Sequence, residues 1–142
     1  MSYRLILLDV QLKPIGDEPS GPNEATVSLS LRGQRVVGRH VPTMEDGDND
    51  LIVIAAATLD AVQQALPVSV ELILKSAIKL SPQFLDSPLL VVIVDLFYGK
   101  SHFELTGACQ CDDVPVTLYR GIAQAALDAT NRLVNFIFEQ GE

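Results

Sequence analysis

Short strand-like stretches, alternating or rich in β-branched and leucine residues, occur six times along this chain, and a stripe of period near 3.6 occurs twice. In the first half, Tyr3 to Leu12 reads as a strand. Ala25 to Arg32 reads as a second, with Val27, Leu29 and Leu31 on one face and Thr26, Ser28 and Ser30 on the other. Gly33-Gln34 turns the chain into a third strand, Arg35 to Val41. Ile54, Ala55, Thr58, Leu59, Val62, Ala65 and Leu66 then fall at three- and four-residue spacing, which predicts a helix from about 51 to 66, ended by Pro67. Proline and glycine keep 13–24 irregular, and the acidic run 45–50 forms a loop whose Asp48, Asn49 and Asp50 are candidate caps for that helix.

The second half repeats this order. Strands are expected at 70–80, 89–98 and 101–111, with a turn at Gly99-Lys100. A longer helix from about 117 to 138 follows, its expected buried stripe formed by Leu118, Ile122, Ala125, Ala126, Ala129, Leu133, Phe136 and Ile137. The halves also match as sequence. Ala57-Thr58-Leu59-Asp60-Ala61 returns as Ala125-Ala126-Leu127-Asp128-Ala129, and Leu12-Lys13-Pro14 as Leu80-Ser81-Pro82, both 68 residues on. A repeat of this period makes each half one supersecondary unit. The predicted fold is therefore α+β: one domain of two βββα units, about 1–67 and 68–142, with six mostly antiparallel strands and two helices packed on them.

The units differ at their middle strands. The first is half polar, whereas Leu89-Leu-Val-Val-Ile-Val94 is apolar on both faces, and such a strand needs cover on both. One unit's helix covers a single face. The second layer is either the other unit or a partner chain; a homodimer is the expectation, with Val92, Val94 and Leu96 as the row meeting a second copy.

Composition supports a covered apolar surface, with 48% hydrophobic residues and a mean hydropathy of +0.27. The net charge of −8, with no basic cluster, excludes nucleic acid and anionic membrane surfaces as partners. Leu5 to Leu8, stopped by Asp9, is shorter than a signal-peptide core, and no apolar run approaches the ~18 residues that span a bilayer. A cytoplasmic chain is the expectation.

Candidate chemistry is sparse. Cys109 and Cys111 share a strand face near His102, but zinc needs four ligands, usually with CxxC spacing. Asp46, Asp48 and Asp50 imitate the start of a calcium loop, yet Leu51 and Ala57 stand where glycine and glutamate are required. Neither histidine, His40 or His102, neighbours a recognisable nucleophile, and no phosphate-cradling glycine motif is present. Asp60 and Asp128 recur in register, and are expected to face solvent or bond a neighbouring element. Neither metal nor cofactor is expected, and no catalytic residue is assigned; the chain reads as a non-enzyme.

Val37-Gly38-Arg39-His40-Val41, followed by Asp50-Leu-Ile-Val-Ile-Ala-Ala-Ala-Thr-Leu-Asp-Ala-Val62, resembles the C-terminal allosteric domain of 2-isopropylmalate synthase. That family has a strand ending in Gly-x-Gly, an acidic residue, then an apolar, alanine-rich helix. Ala123 to Leu133 resembles its closing helix. The resemblance implies a tandem βββα fold, an amino-acid-like ligand between the units and a part in dimerisation. It carries Gly38 and Asp50 over as ligand-binding positions, with His40 at the family's second glycine. The synthase's catalytic barrel does not fit in 142 residues. Two functions follow as expectations: a small-ligand-sensing regulatory module, or a dimeric interaction protein without a small ligand.

Overall fold

A computed structural model describes residues 4–16, 22–43, 49–81, 83 and 86–140. Strands β1 (Ile6–Pro14), β2 (Asn23–Leu31) and β3 (Gln34–His40) precede helix α1 (Asp50–Ala65). Strands β4 (Val70–Leu80), β5 (Leu89–Tyr98) and β6 (Ser101–Gln110) precede helix α2 (Pro115–Gln140). Each unit is a three-stranded antiparallel meander, β1-β2-β3 or β4-β5-β6, with its helix packed across the second and third strands. The α+β fold with a tandem repeat is thus what the chain forms.

The register carries the repeat into detail. The first strand of each unit has a bulge at the same place, between Leu7 and Asp9 and between Leu74 and Ser76. Gly33 and Gly99 both sit in hairpin turns at positive φ, but at different turn positions. Arg32 and Gly33 are the two central residues of the first turn, both at positive φ as in type I′. Gly99 takes the first central position of the second turn. The second hairpin has longer arms, ten residues each against nine and seven. Pro14 remains in β1 because that strand lies at a sheet edge, where a missing N–H is tolerated.

Local chemistry sets the helix ends. The Asn49 side chain accepts from the amides of Leu51 and Ile52 and so caps α1, while Asp50 is the first helical residue; Asp48 lies outside the described residues. Leu66, in extended conformation before Pro67, ends it. Pro115 opens α2, where its missing N–H leaves no helical bond unmade. The Thr117 hydroxyl donates to the Asp112 carbonyl at 2.6 Å.

Side chains of the inner faces make one core. Ala25, Val27 and Leu29 of β2 meet Val53, Ile54, Ala57 and Val62 of α1, and Leu90, Val92, Val94 and Leu96 of β5 meet Ile122, Ala125 and Ala126 of α2; all are fully buried. The helices approach their third strands at one small residue each. A β-carbon at Gly38 would collide with the Ala57 carbonyl and the Ala61 amide, and one at Gly107 with the Ala125 carbonyl and the Ala129 amide. These two glycines are structural equivalents, because both face the same five-residue helical repeat.

The units are joined reciprocally. Gln63 of α1 reaches the first strand of the other unit, donating to the Val70 carbonyl and accepting from the Leu72 amide at 2.8 Å. Asn131, 68 residues later on α2, accepts from the Leu5 amide at 3.0 Å and donates to its carbonyl at 3.3 Å, just ahead of β1.

Gly38→Ala and Gly107→Ala are each expected to destabilise the fold by about 2 kcal/mol, the usual scale for overpacking. Gly16→Ala, with open space around its Cα, should leave the urea midpoint unchanged. Asn49→Ala should cost ~1 kcal/mol in the same measurement.

Candidate functional site

A three-stranded sheet has two edges whose backbone groups lack strand partners, and here helix side chains serve them. On β3, the Arg39 amide donates to Asp60 Oδ2 at 2.9 Å. On β6, the Ala108 amide donates to Asp128 Oδ2 at 3.1 Å. The recurring aspartates are therefore bonded to the neighbouring strand, one of the two roles expected for them. Each reaches the residue just after the close-approach glycine, since only there does the helix lie near enough.

The two edges then part ways. On β3, Gln64 Nε2 donates to the Val37 carbonyl at 2.9 Å and to Asp60 Oδ2 at 3.2 Å, bridging helix and strand. The equivalent position on α2 is Arg132, opposite Thr106 of β6. An open cleft of about 850 Å³ lies there, lined among others by Arg4, Thr106, Gln124, Leu127, Asp128 and Arg132. Leu105, Cys109 and Leu133 add half-buried apolar surface. Glu104, also in the lining, is ion-paired with Lys75, and this partner is the leading cause of the raised lysine pKa. Asp128 and Arg132 are both exposed and stand one helical turn apart.

The residues expected to bind a ligand lie elsewhere. Gly38 does allow a close backbone approach, but helix α1 fills that space. His40 ends β3 opposite Ala25. Asp50 Oδ1 accepts from Asn23 Nδ2 at 3.3 Å and Oδ2 from the Tyr119 hydroxyl at 3.2 Å, tying the start of α1 to β2 and to α2. Burial, then the charge of Asp50, pushes the Tyr119 hydroxyl pKa up. Gly38, His40 and Asp50 thus belong to the first unit, and none of them lines the cleft.

Val92, Val94 and Leu96 form the inner row of β5, fully buried within the chain. They are core, and the outward apolar row is the alternate one containing Val91 and Ile93. Sequence alternation identified two apolar rows but not which of them α2 would cover.

Burial raises the thiol pKa of both cysteines. Asp128 adds to it at Cys109, and Cys109 is the next cause at Cys111, whose sulfur packs against Gly121. His102 stacks on Phe97 with ring centroids 4.5 Å apart and bonds Asp95 at 3.0 Å. Among the described residues, no group of three or more His, Cys, Asp or Glu gathers to hold a metal. Asp46 and Asp48 fall outside those residues. No described helix is long and apolar enough to cross a membrane. Gln64 and Arg132, which sequence reasoning missed, are a polar pair at the 68-residue offset that exchanges an amide for a cation, as Gln11 and Lys79 are. No protein-family model matches the chain, and no curated protein does.

Because the neutral thiol is favoured at Cys109, alkylation of this residue by iodoacetamide in a Cys111→Ser background should reach half-maximal rate above the pH typical of free cysteine. Asp128→Asn should move that midpoint down by removing the neighbouring charge. A pH–rate profile of both variants checks the direction.

Proposed function

We propose that this chain is a non-enzymatic interaction module that works as a homodimer, joined through the outer face of the β4-β5-β6 sheet. The contrast between the two outer faces supports this reading. On the β1-β2-β3 sheet that face is mixed: Ile6 and Val37 are exposed on it, beside Arg39, which pairs with Glu24, and Arg35, whose Nη2 donates to Ser28 Oγ at 2.9 Å. On the β4-β5-β6 sheet the corresponding face carries Ile73, Ile78, Leu80, Val91, Ile93 and Phe97. Ile73, Ile78, Leu80 and Phe97 are 46%, 41%, 41% and 37% exposed.

Two copies at −8 repel overall; on this face Lys75 offsets Glu104 and Asp95 bonds His102, so the charge left is at Glu71, beside Phe97 at the end of the strands. Three strands of about ten residues present roughly 450 Å² in projection per copy, given ~4.8 Å between strands and ~3.3 Å per residue. Side-chain relief adds to this, which places the contact toward the lower end of specific interfaces. A sheet face that packs on its own copy suits a two-fold axis.

Regulation by a small ligand, as in the allosteric domain of 2-isopropylmalate synthase that the helices resemble, is a second reading, favoured by the cleft beside α2. It is compatible with the dimer, since the cleft lies on the other side of β6 from most of the outer face.

At tens of micromolar, sedimentation should give a species of about twice 15.4 kDa. Ile93→Glu should convert it to a monomer with unchanged far-UV circular dichroism, because a carboxylate there is solvated once the copies part. Val94→Asp should unfold the chain instead. A parent protein sedimenting as a monomer sinks the proposal.

A further inference from the structure

We propose that the cleft between α2 and β6 binds a small carboxylate with a short apolar tail, its anionic end held by Arg132. The assignment starts from the broken correspondence between the units. The frame of the cleft has a counterpart in the first unit: Gly107 matches Gly38, Asp128 matches Asp60, and Ala108 matches Arg39 as the capped amide. Where Gln64 closes the helix by donating to the Val37 carbonyl, Arg132 makes no such bond to Thr106 and stands exposed at the cleft.

The lining chemistry selects the ligand class. A guanidinium offers two parallel N–H donors that match a carboxylate. Leu127, Leu133 and Leu105 supply apolar wall for a tail. Asp128 already accepts the Ala108 amide through Oδ2, and its carboxylate stands one turn from Arg132 without an ion pair between them. A ligand bearing an ammonium beside its carboxylate therefore meets both charges.

This inference rests on the ligand-regulated reading and is independent of the dimer. Thermal-shift and calorimetric titrations of the full chain use three probes with one branched tail: isovalerate, its neutral amide isovaleramide, and valine, which adds an ammonium. Isovalerate or valine should raise the melting temperature in a saturable way, while isovaleramide binds at least tenfold more weakly. Arg132→Gln rebuilds the Gln64 arrangement, so it should fold as stably as the parent yet lose at least tenfold in affinity; Arg132→Lys should retain part of it. Equal binding of isovaleramide, or full binding by Arg132→Gln, overturns the site while leaving ligand regulation standing. No binding by any of the three overturns the site and the ligand-regulated reading together, and leaves the dimer untouched.

Discussion

Contact between a helix backbone and the edge strand beside it is the constraint on which this structure depends. Gly38 against Ala57 and Ala61, and Gly107 against Ala125 and Ala129, bring main chain to main chain with no side chain between. Such an approach lets a short side chain on the helix reach the free edge of the strand. Asp60 and Asp128 then satisfy amides that a three-stranded sheet would leave without partners. Further along each helix, Gln63 and Asn131 do the same for the first strand of the opposite unit. Each helix is thus an edge cap for both sheets. Edge protection and the joining of the two units become one interaction, which limits unwanted strand pairing at those positions.

This explains why the alanine-rich helices resisted functional interpretation in the sequence. Ala57, Ala61, Ala125 and Ala129 are small because the strand backbone is close, and their recurrence marks a packing requirement. Gly38 looked like a ligand-binding glycine for the same physical reason, a need for close approach. The occupant is the chain's own helix.

Strand and helix periods, the 68-residue repeat and the two-faced character of Leu89 to Val94 were all legible in the residues, because each depends on local periodicity. The choice of Val92, Val94 and Leu96 as the outward row was not, because alternation has no sign until the helix is placed. Asn49 was one of three candidate caps; only geometry separates a side chain that accepts the Leu51 and Ile52 amides from Asp50 one residue on. The cleft was least legible. The exchange of Gln64 for Arg132 is visible in the sequence, but Gln11 and Lys79 differ in the same way, and only geometry shows that Arg132 borders a cleft.

Where two units share an interior, their differences point to what the fold itself does not demand. The bulges, the close-approach glycines, the aspartate caps and the amide clasps agree between halves. The departures collect on the second unit: an outer sheet face more apolar than that of the first, and Arg132 where the first has Gln64. An exposed apolar face costs solubility, and an arginine beside an unserved edge carbonyl forgoes a bond that glutamine makes in the sister unit. Neither departure improves the isolated chain. The proposed second copy on the sheet face and the proposed anion at the cleft would each offset one of these costs, which is the physical argument for looking to the second half for this protein's function.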